Sequence, residues 1–441
     1  MNKTTLLFQA PVATRSGYGE RSRDLLRALI ALDKYDIKVI STRWGATPMN
    51  ALTSADEDII SRILTAPYPE QPDVYMQVTV PNEFQCVGKF NIGVTAGIET
   101  NLADSTWIEG CNRMDLILTS STHAKAVFEG TVYEQKDNRT GQIVGKLALQ
   151  KPVEVLFEGI RLDKFKRGYS RSENVEMIMN DVKEDFGFLF VGHWLPGDFS
   201  EDRKNVGGLV KTFIETFKDK SNAPALILKT SGGAVSVVDR NSIEQKIKQI
   251  KSATVANKLP NIYVVYGDLT DTEMSDLYNH PKVKAHVSFT RGEGFGRPLM
   301  EAALTNKPVI APNWSGHLDF LDKESNILLE GQMQQVHPSA VWKGVINPEA
   351  HWFTVNYGDA AAYLKDVVKN YKKWSDRSRK NYHHIKTDFS WERMKEQVGT
   401  ILDARLPEFP KQVGLTLPKL TRVDGPAPAI KLPTLKRVTN D

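Results

Sequence analysis

Short runs of apolar, mostly β-branched residues alternate along the chain with stretches whose apolar positions recur every three or four residues. That is the pattern of strands and helices in parallel α/β architecture. The first series opens with the strand TTLLFQAP, the glycine-bearing turn TRSGYG and the helical run ERSRDLLRALIAL. YDIKVIST, DVYMQVTV, KFNIGVTAG and MDLILTSS follow as strands, and VEVLFEGIRLDKF closes the series. The polar segment KRGYSRSENVEMIMNDVKED has no strong periodicity and reads as an interdomain linker. A second series then starts afresh: FGFLFVGHW, ALILKTSG, NIYVVYGDL, KAHVSFT and KPVIAP as strands, with VGGLVKTFIETF, SIEQKIKQIKSATV and EMSDLYNHP as helices. Two Rossmann-like, doubly wound domains are therefore expected, residues 1–185 including the linker and residues 186–388. Their facing strand ends leave a cleft of the kind in which such sheets bind ligands.

The length of 441 residues suits two domains. A chain 41% hydrophobic and 25% charged is that of a globular protein. No run reaches the roughly twenty apolar residues of a membrane span, and MNKTTLLFQAP lacks the apolar core of a signal peptide. A cytoplasmic protein is expected, with Cys86 and Cys111 as free thiols. The net charge of +4 permits a polyanionic partner without requiring one.

The stretch TRGEGFGRPLMEA carries the densest chemistry. HVSFT ends as a strand, RGEGFGR forms a loop, and Pro298 suits the first helical position, where its missing N–H costs nothing. Glu293 then lies on the loop and Glu301 in the first helical turn, both able to face the cleft. Gly294 and Gly296 allow close backbone approach to a ligand, and free N–H groups at the helix start can hold phosphate or sugar oxygens. The pair reads either as a site for an anionic, hydroxyl-rich ligand or as helix-start acids complementing the dipole.

The order of signals across residues 186–322 resembles the nucleotide-binding half of retaining glycosyltransferases of family four. EGFGRPLMEA fills the family's Glu, seven residues, Glu pattern, and FVG followed by EDRKNVGGLVKTF is similar to its first strand and RKN helix start. NIYVVYGDLTDTEMSDLY and KPVIAPNWSGHLDFL resemble its base-binding turn and its later glycine turn. In the first half, SGYGERSRDLL resembles the glycine-rich acceptor-side loop, which taken alone is an ordinary strand-to-helix turn. VEVLFEGIRLDKF resembles the element closing that domain, with Glu158 where the family usually has asparagine. QVTVPNEFQ, GIET, WIEGCNRMD and the LPKL tail look more specifically like glycosyltransferases encoded by large tailed bacteriophages, for which the cytoplasm is that of the host cell.

This resemblance implies the glycosyltransferase-B architecture, with residues 186–388 as the nucleotide-sugar domain and helix 389–406 crossing back onto the first. The implied co-substrate is a nucleotide-diphosphate sugar, most often a uridine one. Arg203 and Lys204 would meet its diphosphate, the base would lie near Gly267, Asp268 and Leu269, and Glu301 would hold the ribose hydroxyls. Glu293 and the backbone of Gly294, Phe295 and Gly296 would hold the sugar's hydroxyls, Pro298 and Leu299 would also bind the donor, and Gly17 and Gly19 would let the first domain pass close to the leaving phosphate and the transferring sugar. Glu99 would face the acceptor. Retention would follow from same-face attack, the departing phosphate taking the acceptor's proton, with no cofactor and no metal.

Some residues stay open. His123 touches the sugar or caps its helix; His193 contacts phosphate or packs in its loop; Arg297 adds charge for phosphate or reaches solvent. His383 and His384 show no metal spacing. The tail 407–441 repeats LPKLTRVD as LPTLKRVTN, and its prolines oppose helix. Its six basic residues against three acidic ones make it either a solvated linker or an arm that contacts phosphates. The acceptor is read first as a hydroxymethylated pyrimidine in duplex phage DNA. The alternatives are a glycan, lipid-linked sugar or virion protein and, from another class, a non-catalytic sugar-nucleotide-binding protein. Oligomeric state is left open.

Overall fold

The computed structural model describes residues 3–137, 139–232 and 236–409. The strands are β1 (Thr4–Ala10), β2 (Tyr35–Ser41), β3 (Val74–Val78), β4 (Phe90–Val94), β5 (Leu116–Thr119), β6 (Val132–Lys136), β7 (Ile143–Ala148) and β8 (Val153–Val155), followed by β9 (Gly187–Val191), β10 (Ala225–Lys229), β11 (Ile262–Val265), β12 (Val283–Val287), β13 (Val309–Pro312), β14 (Ile327–Leu329), β15 (Gly331–Gln335) and β16 (His351–Val355). The first sheet runs β2-β1-β3-β4-β5-β8 and the second β11-β10-β9-β12-β13-β14. Every ladder in both is parallel. The second order is that of a dinucleotide-binding sheet, reversing between β9 and β12, and the point of reversal opens a crevice beyond the strand ends.

The central strands read as continuous apolar runs because helices cover both faces. On one face of the second sheet, Phe188, Phe190, Leu226 and Leu228 pack with Leu209, Val210, Phe213 and Ile214 of helix Val206–Phe217. On the other, Leu189, Ile227 and Ala311 pack with Leu299, Met300 and Ala303 of helix Arg297–Ala303. The segment expected as a linker contains helix Glu173–Asn180, whose Val175 and Met179 are buried in this second cluster. Its apolar positions 175 and 179 are one helical turn apart, a signal too short to stand out amid so many polar residues.

Helix Trp391–Arg405 lies against helix Gly17–Leu32 of the first sheet. Trp391 Nε1 donates to Asp24 O at 2.9 Å and Gln397 Nε2 to Val155 O at 2.9 Å. The antiparallel hairpins β6–β7 and β15–β16 have no counterpart in the sequence reading. Between β15 and β16 the chain reaches the first half, where Trp107 Nε1 donates to Gly344 O at 2.7 Å. No described helix is long and apolar enough to cross a membrane, and both cysteines are free. The tail lies, from residue 410, outside the described residues.

Candidate active site

Loops leaving the carboxyl ends of β1, β4, β5, β9, β12 and β13 meet between the two sheets. Their closest approach is made by glycine. A Cβ on Gly294 would sit 2.2 Å from Ala96 O, and one on Gly292 would sit 1.9 Å from Glu99 O. Ser120 Oγ also donates to Gly294 O at 3.1 Å. Gly294, expected to make room for a ligand, makes room for the backbone of the first half.

At this junction a charge cluster is buried. Lys204 Nζ donates to Glu293 Oε1, while Arg203 Nη1 lies 3.6 Å from Glu293 Oε2 and 3.5 Å from Glu99 Oε1. Glu293 and Lys204 are each only 8% exposed. Burial alone would raise the Glu293 carboxyl, but the Lys204 and Arg203 charges outweigh it and hold it at about 2. Burial pulls the Lys204 ammonium down against the opposing pull of Glu293. Two cations on one carboxylate, with a second carboxylate on Arg203, form a compact charged surface.

The loops are held from behind. Glu293 N donates to Ser315 Oγ at 3.0 Å, and Gly316 N returns a bond to Glu293 O at 3.0 Å. Arg291, almost wholly buried, donates to Ser200 O at 2.6 Å and to Thr354 Oγ1, and its backbone N–H donates to Arg203 O at 2.7 Å. It thereby ties the Arg203–Lys204 loop to the Glu293 loop. Neither Ser315 nor Arg291 is predicted as a site residue, because both act through contacts that sequence spacing does not show.

Glu301 lies deeper. Tyr278 Oη donates to its Oε2 at 3.1 Å and Arg297 Nε to its Oε1 at 3.2 Å. Burial raises its carboxyl to about 7 despite the opposing Arg297 charge. Arg297, expected to meet phosphate or solvent, instead lies among carboxylates, with Asp24 Oδ2 at 2.9 Å and Glu20 Oε1 at 3.6 Å besides Glu301. The spacing of Arg297 and Glu301, four residues apart on a helix, was a legible sign of their contact.

The remaining predicted residues fall into several groups. Phe295 and Leu299, expected as donor contacts, put their side chains in the core, where Phe295 packs on Phe320 at 5.0 Å. Pro298 is the second residue of its helix, after Arg297, and Gly296 is the N-cap. Gly19 packs on the loop, for a Cβ there would lie 2.3 Å from Thr14 O, whereas Gly17 faces open space. Gly267 takes a φ of +99°, which favours glycine, and its carbonyl accepts from Lys229 Nζ at 2.7 Å. Asp268 lies 3.9 Å from Arg15 of the first half, and Leu269 packs at the edge of the core. His123 does not cap its helix, since Ser121 does; its ring meets Trp314 edge-on at 4.7 Å, its Nε2 is buried without a hydrogen bond, and burial lowers it to about 4. His193 is exposed and shares a hydrogen bond with Ser231 Oγ at 2.9 Å.

No family model and no curated protein matches the chain. Solved structures do. Sucrose-phosphate synthase from Thermosynechococcus elongatus superposes with a TM-score of 0.58 at 13% identity, over 91% of this chain and 99% of that one. The fold is glycosyltransferase-B. A glycosyltransferase from Rickettsia africae gives 0.58 at 16% identity over 92% and 99% of the two chains. Anabaena HepE in complex with UDP and glucose gives 0.55 at 12% identity over 90% and 99%.

Proposed function

We propose that this protein is a retaining glycosyltransferase of the family-four type that moves a sugar from a UDP-sugar to a hydroxyl acceptor. The observation that carries the reading is the Arg203–Lys204–Glu293 cluster, with Lys204 and Glu293 buried and Arg203 half-buried, placed at the carboxyl ends of β9 and β12 in a glycosyltransferase-B fold. The fold is shared with HepE, whose structure holds UDP and glucose. Arg203 and Lys204 stabilise charge growing on the leaving diphosphate, Glu293 holds the sugar's hydroxyls, and Glu301 accepts from the ribose. The sugar–phosphate bond breaks as the acceptor oxygen bonds to the same face, and the acceptor's proton passes to the departing phosphate. With the leaving-group charge met by side chains, activity is expected to survive EDTA; loss restored by magnesium would overturn metal independence.

The acceptor we infer is a hydroxymethylated pyrimidine in phage DNA, supported by the phage-like sequence stretches and the basic tail. Mass spectrometry of nucleosides, after incubation of hydroxymethylcytosine-containing DNA with a panel of nucleotide sugars, tests donor and acceptor together. Apparent DNA affinity is expected to fall steeply with salt, and less so after Lys419, Arg422, Lys436 and Arg437 are changed to Ser. Unmodified DNA at low salt alongside a glycosylated saccharide or protein would replace DNA with that acceptor.

The two glutamates predict opposite pH behaviour. Glu301 is raised to about 7, faced by Arg297, Tyr278, Glu20 and Asp271, so it loses its charge as pH falls through that value. Affinity for a UDP-sugar, whose diphosphate does not titrate there, is expected to weaken between about pH 8 and about pH 6 in the wild type and to stay flat in Glu301→Gln. A flat wild-type profile, measured by calorimetry, removes Glu301 from donor binding. For stability the signs differ: charging Glu301 costs stability as pH rises toward 7. Glu293, held at about 2, contributes stability that is lost as pH falls below the ordinary carboxylate range.

A further inference from the structure

We propose that Arg297 is a positioning residue that joins the donor-holding carboxylate Glu301 to the first helix of the opposite half, so that closure of the two halves and formation of the donor clamp are one event. The proposal rests on the reading of Glu301 as a donor contact. Its basis is the placing of one guanidinium among three carboxylates from both sides of the cleft. Nε bonds Glu301 on its own helix, and Nη1 and Nη2 reach Asp24 and Glu20 on helix Gly17–Leu32. That helix begins at the glycine loop, and Trp391 of the crossing helix holds it through Asp24 O.

The geometry is that of a junction held by charge. Arg297 Nη1 is 2.9 Å from Asp24 Oδ2, and both atoms are buried, as is Nη2. The Asp24 side chain is 3% exposed, so water cannot screen the pair. Around it, Glu20 is also bound by Arg23 at 2.5 Å, and Arg21 faces Glu158 at 3.6 Å, so each neighbouring cation has its own acid. Without Arg297, Asp24 and Glu301 would lose their shared cation and face each other and Glu20 across the junction, with Arg23 and Lys164 acting on Glu20 and Arg161 on Asp24. Mutual repulsion would part the halves and protonate Glu301, the two consequences that a residue packed within one half would not combine.

Arg297→Leu, Arg297→Lys, Asp24→Asn and the double variant Arg297→Leu/Asp24→Asn separate the possibilities. Solution X-ray scattering of the unliganded enzyme is expected to show a larger radius of gyration for Arg297→Leu and Asp24→Asn than for the wild type, with Arg297→Lys in between. UDP-sugar affinity is expected to fall about tenfold in Arg297→Leu, with the pH midpoint for donor binding moved upward, and the double variant is expected to lose less than the two single losses combined. Unchanged scattering and donor affinity in Arg297→Leu overturn the proposal. If that variant does not fold, Asp24→Asn, which keeps the guanidinium, decides it in the same way. A wild type that binds no UDP-sugar sinks the donor reading, and the scattering series still reads the bridge.

Discussion

Replacing Lys204 with methionine is expected to lower the single-turnover rate by about two to three orders of magnitude, the range for loss of one preorganised charge at a leaving group. The side chain is buried beside Glu293, so its charge acts where water screens little. Methionine keeps the apolar stem, which limits the change to the charge. The same substitution leaves Glu293 with Arg203 at 3.6 Å as its nearest cation, and stability should fall by about 3 kcal/mol, toward the lower end for breaking a buried pair. Lys204→Met/Glu293→Gln removes both charges and is expected to recover most of that stability while staying inactive. Thermal melts and rapid-quench turnover on the three variants check it. Near-normal turnover in Lys204→Met would take Lys204 out of the mechanism.

The second large effect separates Glu293 from Glu301. On the proposed reading, in which Glu293 holds the transferring sugar, Glu293→Gln is expected to slow the chemical step by about a hundredfold with a modest change in UDP affinity. On the same reading, in which Glu301 holds the ribose, Glu301→Gln is expected to weaken UDP affinity by about tenfold with a smaller effect on the bound-state rate. The surroundings favour this division. Glu293 is fully ionised beside two cations, whereas Glu301 shares one guanidinium with two other carboxylates and sits under the hydroxyl of Tyr278. Calorimetry with UDP and single-turnover assays measure the two quantities independently. Equal loss of UDP affinity in both variants would end the distinction.

Much of this arrangement was legible before folding. Parallel strands buried on both faces leave apolar runs too conspicuous to miss, so GFLFV, ALILK and VYMQV appear as β9, β10 and β3 where the pattern places them. The glutamate spacing within EGFGRPLMEA places Glu293 on a loop and Glu301 on a helix, because glycine and proline restrict where the helix can begin. The same motif does not show that the Phe295 and Leu299 side chains lie in the core. A short motif records which residues are close in the chain, whereas the direction of each side chain depends on which face of the helix meets the sheet. Leu299 and Glu301, two apart, do not share a face.

Local pattern thus sufficed for most strands of the two sheets and for the loops that bear Arg203, Lys204 and Glu293, since periodicity and turn chemistry act over a few residues; it did not show β14 or the two hairpins. The charge balance of the site depended on the packing of the two halves. Asp24 meets Arg297, Tyr278 meets Glu301, Ser315 meets Glu293 and Glu99 meets Arg203 only when loops from separate sheets converge. There the Lys204 and Arg203 charges outweigh burial and hold Glu293 at about 2, while burial outweighs Arg297 and raises Glu301 to about 7, although in water the two carboxyls are chemically alike. The reason is physical: desolvation and Coulomb energy depend on distances through space, and no spacing along a chain encodes them.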